Sequence, residues 1–391
     1  MIKIGRSQLL VLAVVLLAVA SAAAHAQTMR SQQHASSATE FTPQQTERIV
    51  KLGPWPVPRK PDPSNRVSGN ADAIALGRSL FFDARLSGKG THSCSSCHRP
   101  ETAWQDGKRV GEGLAPGTRN TPSLFDVRYR RWFGWDGAGD SLWAQSIRPI
   151  LDPREMGASA EHLRGHIAGN ATLATTYLGL FQRGAAATPA EDVLVDAAKV
   201  LAAYQETLVS LRAPFDAFRD RLAAGKGKVA ADDAYPIAAR RGLQVFIGTG
   251  QCMRCHAGPS FTHGGFERLH KDAPPVTQAA DLGRYAGVRR LHDNPYNLRS
   301  RFNDSGTRIP FWAGRGHDVG RGRANKGMFR VPGLRGTKDT APYMHDGSAT
   351  TLAEAVAHPV PATQFWKTYR RKLAAAEIAD LVAFLETLSP P

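Results

Sequence analysis

Every cysteine of this 391-residue chain lies in one of two copies of a single short pattern. The first copy, CSSCH, runs from Cys94 to His98, and the second, CMRCH, runs from Cys252 to His256. Cys-x-x-Cys-His is the attachment pattern of c-type haem, in which two thiols form thioethers and the adjacent imidazole binds the iron. The sequence therefore predicts two covalently bound haem c groups, attached through Cys94, Cys97, Cys252 and Cys255, with His98 and His256 as iron ligands.

Cys-x-x-Cys pairs have other uses, which are structural disulfides, thioredoxin-like redox pairs and zinc knuckles. A zinc site would need further cysteine and histidine pairs at the spacing of a zinc finger, and the sequence contains none. The histidine that directly follows each pair favours haem over a disulfide or a redox pair.

The N-terminus has the organisation of a secretory signal. Lys3 and Arg6 precede an apolar run from Leu9 to about Ala20, and small residues follow, ending in Ala24–Ala26. The apolar run is too short to cross a bilayer comfortably, which favours a cleaved signal over a retained anchor. We predict export to the periplasm with cleavage near Ala26, and no membrane span after cleavage.

The chain is basic, with a formal charge of +16, and its Lys and Arg residues are scattered rather than clustered. A basic exported protein is suited to anionic partners. Because the positive charge forms no single run, we expect an acidic redox protein as the partner and no nucleic acid.

The two motifs have similar flanks. Gly77–Phe81 (GRSLF) precedes the first and Gly242–Phe246 (GLQVF) precedes the second, and an aromatic residue, Trp104 or Phe261, follows each. Both upstream flanks have the pattern of a helix that carries an apolar face into the haem-binding loop. The sequence thus predicts a mainly α fold of two cytochrome c-like haem domains related by internal duplication, with long irregular loops.

The length allows two domains with separate cores. The predicted division is a signal peptide at 1–26, an N-terminal extension at 27–60, an N-terminal haem c domain at 61–225 and a C-terminal haem c domain at 226–391. The stretch Ala223–Asp233, rich in Ala, Gly and Lys, is the expected linker.

Local signals predict several elements. Thr188–Glu191 has the pattern of a capping box with proline at the first helical position, ahead of an apolar helix. Ala353–Val356 and Ala374–Leu385 are predicted as further helices. Val110–Gly139 and Asn294–Lys338 are rich in Gly, Pro and Arg and lack periodicity, so we expect loops around the cofactors.

From about Pro61 onward the chain resembles the bacterial di-haem cytochrome c peroxidases and their MauG-like relatives. Besides the two haem motifs, the segments that carry the resemblance are LGRSLFFDARLS, RNTPSLFD, WDGAGDSLWAQSIRPILDPREMG and FRVPGLRGTKDTAPYMHDGSATTLAEAV. The resemblance implies that His98 holds a high-spin haem where peroxide is cleaved. His256 then holds a low-spin haem that passes electrons inward.

The family also implies roles outside the haem motifs. Gln145 and Glu155, ten residues apart, match a pair that assists heterolytic cleavage of the peroxide bond. Trp135 matches a tryptophan that lies between the two haems as an electron bridge. An interdomain calcium ion is implied at Asn120, Thr340 and Pro342, and His345 matches a histidine near the haem interface.

Two departures from the family pattern bear on the irons. Classical members carry a distal histidine that caps the peroxidatic iron, but this chain has no histidine between Arg99 and Glu161. We therefore predict an open sixth position on the first haem even in the oxidised state. In the second haem the family's sixth ligand would fall at Pro359, which cannot bind iron; His358 is the predicted ligand, with Met344 and Met328 as alternatives.

The leading prediction is a periplasmic di-haem peroxidase that reduces hydrogen peroxide with electrons from a small cytochrome c or cupredoxin. One alternative is a MauG-like enzyme that oxidises a protein or a small molecule. A second alternative is a non-catalytic di-haem electron carrier or redox sensor. Family members are often homodimers, so a homodimer is also expected.

Overall fold

In a computed structural model, the described residues are 41–58, 60–228, 230, 233–268, 281–306, 323–358 and 372–390. They are mainly helical, as predicted. The α-helices are Pro43–Val50, Ala71–Phe81, Cys94–Cys97, Leu142–Leu151, Ala160–Gly169, Ala171–Phe181, Ala190–Gln205, Pro214–Ala224, Ile237–Ile247, Arg284–Asp293, Leu352–Ala357 and Ala375–Glu386. Short 3-10 helices, among them Cys252–Arg254 at the second motif, and two short strands, Phe266–Arg268 and Met328–Arg330, complete the described elements.

Each half of the chain contains one pair of closely crossing helices. In the first half the helix Ala71–Phe81 crosses Ala190–Gln205 at Gly77, where a Cβ atom would overlap the Val200 carbonyl. In the second half Ile237–Ile247 crosses Ala375–Glu386 at Gly242, where a Cβ atom would overlap the carbonyl of Asp380. Glycine therefore lets two backbones approach at the same place in both halves.

An aromatic triad fills the space beside each crossing. Phe81, Trp104 and Tyr204 have ring centroids 5.3–6.4 Å apart in the first half. The rings of Phe246, Phe261 and Phe384 are 5.0–6.3 Å apart in the second. The matching triads confirm the internal duplication that the sequence flanks predicted.

The buried apolar residues form two clusters, and each takes residues from outside its own half. The helix Pro43–Val50 contributes Ile49 to the second cluster, although it begins the described chain. The helix Pro214–Ala224, which the predicted limits assign to the first haem domain, also packs into the second cluster through its phenylalanines. The domain limits stay a prediction.

A segment from the second half returns to the first cluster. Phe302 is buried there, and the ammonium group of the buried Lys199 donates to Asp304 Oδ2 at 2.6 Å and to the Phe302 carbonyl at 2.7 Å. The backbone N–H of Arg66 donates to Asp304 as well, at 2.7 Å. The segment is thus fastened to the first half by both packing and charge.

Several predicted elements are confirmed and one detail is wrong. The predicted helices near 353–356 and 374–385 are present as Leu352–Ala357 and Ala375–Glu386. The capping box at Thr188 is not formed. Pro189 is itself the N-cap, and the Thr188 hydroxyl donates to the Gly184 carbonyl instead.

The predicted signal peptide lies outside the described residues. Within the described part of the chain, no helix combines the length and the apolar character needed to cross a membrane.

Candidate active site

The first motif folds so that one nitrogen of its histidine is already engaged. Cys94–Cys97 forms a single helical turn, and His98 follows it as the C-cap. His98 Nδ1 lies 2.9 Å from the carbonyl oxygen of Trp104, a residue in the left-handed region at φ 61°. Donation from Nδ1 fixes the tautomer in which Nε2 carries the lone pair, and burial lowers the pKa of His98. The imidazole is therefore a neutral ligand at pH 7.

The second motif repeats this arrangement. His256 Nδ1 lies 3.0 Å from the carbonyl oxygen of Phe261, which also has a positive φ, 52°. Burial lowers the pKa of His256 to about 4, against the opposing effect of the Phe261 carbonyl. In both motifs, Nδ1 of the histidine is thus engaged by the carbonyl of the aromatic residue that follows the motif.

The four cysteines are present as half-buried free thiols. Burial raises the pKa of Cys94 to about 12 and that of Cys97 to about 11, so neither is a thiolate at pH 7. Paired thiols beside a fixed neutral imidazole fit covalent haem c at each motif.

A metal-ligand grouping also lies at the second motif. Cys255, His263 and Glu267 have ligand atoms within 4.8 Å of one another. Because a thioether to haem removes the thiolate character of Cys255, this grouping is not an independent metal site once the cofactor is attached.

Glu155 lies beside the first motif. Its backbone carbonyl accepts the N–H of Leu114 at 3.1 Å, and the neighbouring Glu112 carbonyl lies 3.7 Å from the Cys97 sulfur. A Cβ atom on Gly113 would overlap the Glu155 backbone, so Glu155 packs against the loop that contacts Cys97. Burial raises the pKa of Glu155 itself above 4.5, and Arg148 partly opposes the rise.

Gln145 and Arg148 lie close to Glu155 because all three belong to one helix and the turn after it. The helix Leu142–Leu151 begins at the N-cap Ser141, and Glu155 follows in the turn. Arg148 Nη2 is 3.6 Å from Glu155 Oε1. A Cβ atom on Gly134 would lie 3.7 Å from Gln145 Oε1 and 3.8 Å from Arg148 Nη1. Both side chains therefore reach the segment that precedes Trp135.

The amide oxygen of Gln145 is buried and has no hydrogen-bond partner in the structure. A buried amide oxygen without a partner is costly in a folded protein, typically about 1–3 kcal/mol. Such an atom is expected where a bound molecule supplies the missing donor.

Trp135 is buried at the junction of the two halves. Its indole Nε1–H donates to the Asn120 carbonyl at 2.8 Å, and its own carbonyl accepts the Arg330 N–H at 2.8 Å. The Asn120 N–H in turn donates to the His345 carbonyl at 2.8 Å. The tryptophan is thus held by backbone groups from both halves of the chain.

Trp135 and His345 occupy equivalent hairpins. One is closed by the bridge between Phe133 and Gly139, and the other by the bridge between Tyr343 and Ala349. One hairpin contains Trp-Asp-Gly and the other contains His-Asp-Gly. Their glycines, Gly137 and Gly347, have φ 65° and 64°. This second duplication was not predicted from the sequence, although both hairpins contain Asp-Gly, at 136–137 and 346–347, and the N-caps Ser141 and Thr351 follow at the same spacing.

A buried carboxylate next to Trp135 joins the halves. Asp136 is fully buried, and its Oδ2 accepts from Arg119 at 2.7 Å and from Arg290. Burial alone would raise the pKa of Asp136, but the two guanidinium groups lower it to about 2. Arg119 also holds Asp281, at 2.7 Å. Sequence reasoning missed this cluster because its members are far apart along the chain.

The remaining predicted ligands lie on three short segments. Asn120 is buried next to the segment that contains Thr340 and Pro342, as its bond to His345 requires. His358 is the C-cap of the helix Leu352–Ala357, which packs against the second cluster. Met344 has a positive φ, 73°, and Met328 begins the strand Met328–Arg330.

Comparisons with known proteins identify the family. Residues 71–223 match the family model described as di-haem cytochrome c peroxidase. The chain is 33% identical to the methylamine utilization protein MauG of Methylorubrum extorquens over 337 residues, covering 81% of this chain and 78% of that protein. It is 31% identical to the cytochrome-c peroxidase IdrP1 of a Pseudomonas species over 381 residues, covering 91% and 90%.

A solved structure has the same fold. A MauG-like protein associated with microbial copper homeostasis superimposes with a TM-score of 0.60 at 27% identity, covering 86% of this chain and 96% of that one. Family, fold and paired haem motifs agree: this chain is an oxidoreductase with two haem c groups and belongs to the di-haem cytochrome c peroxidase and MauG family.

Proposed function

We propose that this protein reduces hydrogen peroxide at the haem held by Cys94, Cys97 and His98, using electrons from a small redox protein. The single observation that carries this proposal is the position of Glu155, whose backbone packs against the loop that contacts Cys97 and whose carboxylate lies 3.6 Å from Arg148.

When bound, the haem supplies an iron atom at which the peroxide bond is cleaved. The Glu155 carboxylate would accept a proton from one peroxide oxygen and return it to the other, which would leave as water. Arg148 favours the ionised carboxylate that must accept this proton. The Gln145 amide oxygen, which has no hydrogen-bond partner among the described residues, would accept a hydrogen bond from the peroxide.

Electrons reach the first haem from the second through Trp135. Two observations support this path: the indole is buried at the junction, and backbone groups from both halves hold it at 2.8 Å. The guanidinium of Arg330 lies 5.9 Å from the centre of its ring. A fixed, buried indole keeps the distance between the two cofactors constant.

We propose that the first iron keeps an open sixth position in the oxidised protein, since no histidine lies between Arg99 and Glu161. His358 is the proposed sixth ligand of the second iron. The oxidised protein should then give one high-spin and one low-spin signal in electron paramagnetic resonance. Two low-spin signals would contradict the open site, and an unchanged low-spin signal in His358→Ala would contradict the ligand assignment.

The rest of the proposal concerns location and partners. We propose that the protein is exported to the periplasm, forms a homodimer and takes its electrons from an acidic cytochrome c or cupredoxin. We also propose a calcium ion at Asn120, Thr340 and Pro342. The charge of +16 supports an acidic donor. Donor-supported turnover should therefore fall steeply as salt is raised, because screening weakens attraction between oppositely charged surfaces.

The test of the proposed chemistry is Glu155→Gln. This variant keeps the shape of the side chain and removes the base, so peroxide turnover with a reduced donor should fall by about 100-fold or more. The control is Glu101→Gln, an exposed carboxylate two residues before Ala103. Retained turnover in Glu155→Gln, with two haems still attached, would favour a di-haem electron carrier or sensor.

The 33% identity to MauG supports a second candidate, oxidation of a protein or small molecule by the same site. Steady-state turnover separates the two. Multiple turnovers with peroxide and a reduced cytochrome c favour the peroxidase. Stoichiometric consumption of peroxide, with turnover only on addition of another substrate, favours the MauG-like reaction.

A further inference from the structure

The two aromatic triads occupy matching positions but differ in chemistry. The second triad consists of Phe246, Phe261 and Phe384, and its rings resist one-electron oxidation. The first triad has Trp104 where the second has Phe261. It has Tyr204 where the second has Phe384, since both residues meet the crossing glycine of their own half. Only the half with the proposed peroxide site therefore carries oxidisable rings at these positions.

The oxidisable pair is connected to the first motif. The Trp104 carbonyl accepts the bond from His98 Nδ1 at 2.9 Å, so this residue is in direct contact with the predicted iron ligand. The Tyr204 ring lies 6.4 Å from the Trp104 ring, centroid to centroid, and 5.3 Å from that of Phe81. Tyr204 is 6% exposed and lies near Arg78, whose charge opposes the rise that burial causes in the pKa of the phenol. The path therefore runs from the motif through Trp104 to Tyr204.

We propose that Trp104 and Tyr204 form a redox-active pair that donates an electron to the first haem site when no external donor is available. The inference rests on the proposed function. Reduction of one peroxide to two waters consumes two electrons and two protons. The pair supplies one electron: Trp104 passes it to the site and regains it from Tyr204. The Tyr204 phenol loses one electron and releases its proton to solvent, leaving a neutral tyrosyl radical. The cofactors supply the other electron.

The pair gives an oxidising equivalent that no donor has reduced a defined final location, the Tyr204 ring. Without such a pair, an oxidising equivalent that finds no donor attacks whichever side chain is nearest, and Met156 is buried in the same cluster. A radical on Tyr204 can instead be reduced later by a donor or a small reductant.

The experiment uses the haem-loaded protein, mixed with one equivalent of hydrogen peroxide without donor and frozen at once. Electron paramagnetic resonance should detect an organic radical, and ring-deuterated tyrosine should narrow its signal. The variants Tyr204→Phe and Trp104→Phe give the first triad the residues of the second. We expect loss of the tyrosyl signal in Tyr204→Phe and strongly delayed formation in Trp104→Phe. Tyr177→Phe, which removes another buried tyrosine of the same cluster, should keep the signal.

Peptide mass mapping gives an independent reading. After repeated peroxide additions without donor, Tyr204→Phe should accumulate oxygen adducts on Met156 and nearby residues faster than the unmodified protein, while its donor-supported turnover is unchanged. A tyrosyl signal that persists in Tyr204→Phe, or the absence of any radical in a protein that reduces peroxide with a donor, overturns the pair alone. Absence of peroxide reduction even with a donor overturns the proposed function as well.

Discussion

His98 and His256 are both fixed through Nδ1 by a backbone carbonyl, at 2.9 and 3.0 Å. The carbonyl belongs in each case to an aromatic residue with positive φ, a conformation that costs non-glycine residues about 1–3 kcal/mol. Packing of the same aromatic ring into its triad offsets this local strain. Ligand orientation and core packing are thus coupled in a single residue on each side.

At the same scale, Arg148 sets the ionisation of Glu155. Because Arg148 lowers the Glu155 pKa, Arg148→Gln should raise it, and the acidic limb of kcat/KM for peroxide should move to higher pH. Turnover needs the ionised carboxylate, so the variant should be slower than the unmodified protein on the acidic side and similar to it well above the pKa. Both side chains are more than 40% exposed, so solvent screening keeps the shift modest.

A pH–rate profile of Arg148→Gln beside Arg164→Gln measures this effect. Arg164 pairs only with the exposed Glu161, and its removal should leave the profile in place. An acidic limb that moves to lower pH in Arg148→Gln, or does not move, would exclude Glu155 as the group that titrates.

Among the elements, the helix crossings determine the architecture of both halves. Gly77→Ala and Gly242→Ala each place a methyl group against a backbone carbonyl of the partner helix, which cannot move aside as a side chain can. Each variant should lose about 1–3 kcal/mol or more of unfolding free energy. Urea unfolding followed by circular dichroism measures the loss.

Helix glycines without neighbours provide the matched control. Gly165 and Gly179 lie in helices, and an added Cβ atom meets nothing within 4 Å at either position. Alanine at these sites should stabilise the protein by up to about 1 kcal/mol, because alanine has the higher helix propensity. Equal effects at all four positions would mean that the crossings are not close-packed.

The sequence was sufficient for the elements whose signals are local. The haem motifs, the flanking helices and the aromatic residues Trp104 and Phe261 follow short-range patterns, and the structure has them in equivalent places. The capping box at Thr188 was wrong because Pro189 adopts an extended conformation and takes the N-cap position itself. The sequence of the helix Pro43–Val50 does not indicate which residues it packs against, because its contact with the second cluster depends on tertiary packing alone.

The site was predictable to a similar extent. Gln145 and Glu155 came from a family resemblance, and the structure adds Arg148, which lies three residues after Gln145 and so one helical turn further along. Asp136 with Arg119 and Arg290 could not be found in advance, because a buried ion cluster leaves no spacing pattern in the sequence.

At the scale of the molecule, that ion cluster holds the two halves together. Asp136→Asn should cost about 3–5 kcal/mol of unfolding free energy at pH 7, because Arg119 and Arg290 lose the charge that compensates them. The depressed pKa of Asp136, about 2, gives the direction with pH. The stabilisation is present above the ordinary aspartate pKa of about 4 and is lost as the pH falls towards 2.

The control is Asp346→Asn in the equivalent hairpin. Its side chain accepts the Ser348 backbone N–H at 3.1 Å, and no described guanidinium bonds to it, so the expected cost is about 1 kcal/mol. Guanidinium unfolding of both variants from pH 7 to pH 3 provides the comparison. The difference in unfolding free energy between Asp136→Asn and the unmodified protein should shrink as the pH falls. A difference that grows would contradict the predicted pH dependence.

The exchange of segments between the clusters has a consequence for synthesis. Phe302 and Asp304 belong to the first cluster, so this cluster stays incomplete on the ribosome until three quarters of the polypeptide has been made. The second cluster, which contains Ile49, is completed later still, when Phe384 near the other end has been made. Cutting the gene midway would therefore give two fragments, each of which lacks residues of its own apolar cluster. Although the two halves are duplicates, we expect that neither folds alone.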